Sequence, residues 1–164
     1  MTSRIIVVAL TCLAGIGCGG NDSPTAPSAQ TPTAAAITAT VIPNPVIAIA
    51  CTPTTCAAGL EFIASLSVQI SETAGLGGNV DFVNVTMRNA TTGAEIGTLN
   101  YGADELIRRA STNHVNARGS LTIPNVGIVY RLAGGGRQGT VTVAVQFTDD
   151  RGNRLNQIIS VPVA

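Results

Sequence analysis

The chain predicts an all-β domain, an antiparallel sandwich of about seven strands, preceded by segments that do not belong to the fold. Three observations carry this. Apolar and polar residues alternate in period two from Leu60 to Ser71, the alternation returns from Val141 to Thr148 and again towards Val163, and Gly, Asn, Asp and Pro punctuate the stretches between. Period two is the signature of a half-buried strand, and those four residues mark the turns that join such strands.

Taken in order, Ile37 to Cys51 reads as a first strand that Pro43 and Pro45 confine to a sheet edge and bend. Leu60, Phe62, Ala64, Leu66, Val68 and Ile70 then form one apolar face against Glu61, Ser65, Ser67, Gln69 and Ser71, with Ile63 the exception. Val80 and Phe82 lie in one phase while Val83, Val85 and Met87 lie in the other, so a bulge is expected near Phe82. Asn89 to Gly93 reads as a turn into a strand over Ala94 to Leu99. Asp104 to Ala110 has acids early and arginines late, the polarity of a short helix, and could equally be an edge strand. Leu121 and Ile123, then Val126, Ile128, Tyr130 and Leu132, predict two short strands around Pro124. Val141, Val143, Val145 and Phe147 face Leu155, Ile159, Val161 and Val163 across T-D-D-R-G-N-R, a hairpin turn.

Residues 1–17 are expected to be a signal peptide. Arg4 supplies a positive start, and Ile5 to Gly17 is an apolar run of 13 residues, short of the roughly 20 that span a bilayer as a helix. Gly15 and Gly17 provide the small side chains a signal peptidase needs before Cys18. Here the chain resembles the lipobox of bacterial lipoproteins, with Leu13-Ala14-Gly15 two residues early and Gly15-Ile16-Gly17-Cys18 at the site itself. The resemblance implies a diacylglyceryl thioether and an amide-linked acyl chain on Cys18, and two or more chains hold a protein stably on a membrane. The alternative is ordinary cleavage at the same bond without lipid. Residues 18–36 are rich in Ser, Thr, Pro and Ala, the composition of a disordered tether, and residues 37–164 form the domain.

Cys12 would leave with the leader and Cys18 would carry lipid, so Cys51 and Cys56 remain as a pair in C-T-P-T-T-C. In an exported protein that spacing predicts a disulfide. Once Arg4 is removed, eight arginines face nine acids, a balance that offers nothing to nucleic acid. His114 is the only histidine, no nucleophile or phosphate-loop pattern accompanies it, and no motif asks for a cofactor. The chain is therefore not expected to be an enzyme. Gly134, Gly135 and Gly136 read as a flexible loop, because a strand rather than a helix follows them. Asp149, Asp150 and Asn153 could offer oxygens to calcium, though the hairpin turn explains the same letters.

The strand rhythm, the opening I-T-A-T-V-I-P-N-P-V and the closing V-T-V-A-V-Q-F-T-D-D-R-G-N resemble the Ig-like and fibronectin type III-like modules of exported bacterial proteins, over roughly Ile37 to Ala164. With no Trp and no distant cysteine pair, an antibody-type core is not expected. The resemblances imply a lipid-anchored envelope protein, periplasmic or at the cell surface, with the outer membrane favoured. Its partners would be the membrane through Cys18 and an envelope protein. The function expected is structural, adhesive or protein–protein contact, with a ligand- or carbohydrate-binding accessory lipoprotein as the alternative.

Overall fold

The structure, a computed structural model, describes residues 31–52, 54–132 and 136–164. The leader, Cys18, most of the expected tether, Gly134 and Gly135 lie outside the described residues.

The elements run β1 (Ile37–Ile42), β2 (Ala48–Ala50), β3 (Phe62–Glu72), β4 (Gly78–Asn89), β5 (Glu95–Gly102), α1 (Ala103–Ala110), β6 (His114–Val115), β7 (Ser120–Tyr130), β8 (Gly139–Asp149) and β9 (Arg154–Val163). They form two antiparallel sheets. In the first, β3 is central, with β7 on one side and both β1 and β2 on the other. The second runs β5-β4-β8-β9, with β6 beside the start of β4. Val68, Ile70, Val83, Val85, Met87, Ile123, Val143 and Phe147 are fully buried between the sheets. This is the predicted all-β sandwich.

β1 and β2 are one edge strand interrupted by Pro43 and Pro45. In the interruption Val46 turns to the second sheet, where its N–H donates to the Pro162 carbonyl and its own carbonyl accepts from Ala164, both at 2.9 Å. Proline has no N–H for a ladder, so this edge is where the chain leaves one sheet for the other at least cost.

Two expectations are refined by what the backbone does with a proline and a phase change. β7 is one strand and not two, because Pro124 and Asn125 together face Ser67 where the register with β3 shifts. That bulge absorbs the proline without ending the ladder. Between Val80 and Phe82 the register with β8 also shifts, at the position where the apolar phase switches. Asp104 to Ala110 is helix, within α1: Leu106 is fully buried, Glu105 bonds Arg108 and Arg109, and Arg109 lies 4.8 Å over the Tyr101 ring.

The folded part of the chain also begins before Ile37. Ala35 is buried, the Ala35 and Ala36 amides are bonded to side chains of the sandwich, and the Asn153 side-chain amide donates to the Thr33 carbonyl at 3.2 Å. Residues 33–36, read in the sequence as tether, are thus a strap on the domain. Their small side chains let the backbone lie close to its partners.

Candidate functional site

The strap is held by two acids from different sheets. β3 is inward-facing at Leu66, Val68 and Ile70, and two residues further on the same parity turns Glu72 inward, 2% exposed. Its carboxylate accepts four backbone N–H groups, from Ala36 (3.2 Å), Ala74 (2.7 Å), Gly75 (2.9 Å) and Arg118 (2.8 Å). Burial raises its pKa, but the backbone donors outweigh burial and hold the value at about 2. Asp149, 3% exposed at the end of β8, accepts from the Ala35, Arg151 and Asn153 amides and from the Asn153 side chain. Burial again opposes and the hydrogen bonds again prevail, so its pKa is also about 2.

Two of the three residues that could offer oxygens to calcium, Asp149 and Asn153, are engaged with each other in the hairpin turn. Both Asp149 oxygens are occupied by N–H donors, and Asn153 presents its amide NH2. Donor hydrogens aimed into a site repel a cation where carbonyl oxygens would bind one. Asp149 and Asn153 instead organise the hairpin turn, with Gly152 at φ 86°. Among the described residues no group of three His, Cys, Asp or Glu side chains gathers as metal ligands.

The other singled-out residues fall as follows. Cys51 and Cys56 are joined in a disulfide, Cα–Cα 5.6 Å, in the loop from β2 to β3. His114 is half-buried with Nδ1 3.1 Å from Asn79 Oδ1, and its other bond is a backbone one to Thr112. The ring's partner is a side-chain amide, and the backbone N–H donates to the Thr112 hydroxyl at 2.9 Å. Tyr130 is buried and donates to the Arg137 carbonyl at 2.6 Å.

None of the five aromatics is fully exposed, Phe62 and Phe82 being half-buried. Tyr101, Tyr130 and Phe147 are buried, and Phe62 packs on Tyr130 with centroids 5.7 Å apart. A shallow cleft of about 370 Å³ does open on the second sheet beside the β4 bulge, lined by Asp81, Gln146, Thr148, Arg154 and Asn156. It is polar and wide, and its one aromatic wall, Phe147, is fully buried.

The surface that stands out is the outer face of the first sheet. β1, β2, β3 and β7 contain a single charged residue, Glu72, and it points inward. One half of the outer face is lined by hydroxyls and an amide, among them Thr40, Ser65, Gln69 and Thr122. On the other half Ile49, Ile63 and Val129 stand at one register across three strands, while Ile42 is paired with Ser67 further along β3. Ile42, Ile47, Ile49 and Val129 are 51, 50, 58 and 40% exposed. At its rim Glu61 and Arg131 neutralise each other at 3.1 Å. Scattered exposed aliphatics are ordinary, whereas here three stand at one register on a face without charge. Ile63 broke the alternation in the sequence, and it is the centre of this row.

No family model matches the chain, and no curated protein matches it. Among solved structures it is similar to target SoR45 of the Northeast Structural Genomics Consortium, with 11% identity, a TM-score of 0.52, and coverage of 80% of this chain and 85% of that one. It is also similar to a Bordetella pertussis protein solved under the provisional name ApaA, target BeR40, with 11% identity, a TM-score of 0.55, and coverage of 79% and 94%. At that identity the likeness is one of fold alone.

Proposed function

We propose that this protein is a non-catalytic, lipid-anchored module of the bacterial cell envelope, whose Ig-like sandwich serves structural, adhesive or protein–protein contact. The observation that carries the contact role is the uncharged outer face of β1, β2, β3 and β7, with Ile49, Ile63 and Val129 in one row. Export is supported by the cleavage pattern at Cys18 and by the Cys51–Cys56 disulfide, a bond that persists in oxidising compartments. The chain joins the sandwich at the pole of Glu72 and Asp149. A lipid on Cys18 would therefore pull on that pole, leaving the Cys51–Cys56 loop at the opposite one.

The alternative, a ligand- or carbohydrate-binding lipoprotein, would use the Asp81–Arg154 cleft, which has hydrogen-bonding groups but no exposed ring on which a sugar could stack. The anchoring is tested by expressing Cys18→Ala beside the parent and following detergent-phase partition. The parent is expected in the detergent phase and the variant in the aqueous one. Equal partition of the two contradicts the anchor.

A further inference from the structure

We infer that the uncharged outer face of the first sheet is the contact between two copies of this chain, packed face to face. The inference rests on the reading of the protein as an envelope contact module and names the partner of that surface. Three observations lead to a second copy rather than to another occupant.

The first is charge. A face that docks on an identical face sets any net charge it carries against the same net charge on its partner. The four strands of this sheet expose none, and the Glu61–Arg131 pair at the rim is already neutral. An anionic lipid surface, by contrast, attracts lysines and arginines around an apolar patch, and the one arginine here is committed to Glu61.

The second is shape. Ile49, Ile63 and Val129 share one register, with Ile63 in the middle strand. A two-fold axis running parallel to β3, midway between the two sheets and above Ile63, lays Ile49 of one copy over Val129 of the other and Ile63 over its own equivalent. Two sheets stacked in this way pack about 10 Å apart, as they do inside a sandwich.

The third is area. Three strand positions about 4.8 Å apart and about 36 Å long give a footprint of about 500 Å² on each copy. The pair then buries about 1,000 Å², the floor for a specific interface, which makes the contact a weak one. Weakness is what a tethered chain can use, because confinement on a membrane raises the effective concentration of copies without any new contact.

The test is site-specific photo-crosslinking of the full chain, expressed with its leader in a bacterial envelope, with Ile49→p-benzoylphenylalanine. Irradiation is expected to give a covalent species of twice the mature mass, reduced at least tenfold when Val129→Asp is added. Thr142→p-benzoylphenylalanine, on the outer face of the other sheet, is expected to give none. An adduct of any other mass from position 49 overturns the second copy and leaves the contact module standing. Adducts to lipid alone, or no adduct from a protease-resistant variant, overturn both. A doubled mass that Val129→Asp leaves unchanged overturns the proposed face.

Discussion

Asp149 and Glu72 hold consecutive amides of the incoming chain: Ala35 donates to Asp149 Oδ2 at 3.1 Å and Ala36 to Glu72 Oε1 at 3.2 Å. The two acids come from opposite sheets, β8 and β3. The strap therefore closes one end of the sandwich, and each acid also organises its own turn, 149–153 and 72–75.

Glu72→Gln is expected to lower the unfolding midpoint by roughly 5–10 °C, since hydrogen bonds to a buried charge contribute more than neutral ones and an amide NH2 would face backbone donors. Thermal unfolding by circular dichroism at neutral pH measures it. A midpoint equal to the parent's would mean the four donors are satisfied equally well without the charge.

Acid should weaken the fold through the same pair. Both carboxylates have pKa values of about 2 in the folded protein, below their ordinary 4.5 and 3.8. A depressed folded pKa stabilises above the unfolded value and ceases to as pH falls through the folded one. Stability linked to these groups should therefore be full above about pH 5 and decline from there towards pH 2. Denaturant titrations across that range should show the decline in the parent and a shallower one in Glu72→Gln.

Gly78 is closed to any side chain, because a Cβ there would lie 2.4 Å from the Thr148 carbonyl and 2.6 Å from the Phe147 ring. Gly78→Ala should cost about 1–3 kcal/mol by overpacking. Gly93→Ala meets no atom within 4 Å but sits at φ 69°, so its cost is backbone strain alone, about 1 kcal/mol. Denaturant midpoints of the two variants should rank in that order.

Reducing Cys51–Cys56 should cost about 2 kcal/mol or less, the loop-entropy value for so short a ring. The bond closes a surface loop between β2 and β3 and touches no core strand pairing. The domain should remain folded in reductant, with unfolding shifted by a few degrees.

Where a single strand carries its own pattern, the sequence was sufficient. The parity of Leu66, Val68 and Ile70 predicts the buried face of β3, and the same parity read two residues further points Glu72 inward, a consequence the apolar pattern alone did not suggest. The phase switch at Phe82 predicts its bulge because a bulge is a change of parity. Pro124 misled for the opposite reason: a bulge hides a proline inside a continuous strand, whereas its letter alone reads as a break. The uncharged aliphatic row was not legible, because Ile49, Ile63 and Val129 lie far apart in sequence and meet only through strand register. The acids of the hairpin suggested a cation because Asp and Asn serve turns and calcium alike, and only the direction of the donor hydrogens separates the two.

The central claim is that Cys18 carries the lipid that tethers this sandwich, and intact-mass spectrometry of the protein extracted from membranes tests it most directly. The account predicts a chain beginning at Cys18 with the added mass of a diacylglyceryl group and an amide-linked acyl chain, two hydrogens light for the Cys51–Cys56 disulfide. A chain beginning at Cys18 without acyl mass, or one retaining residues 1–17, would contradict it.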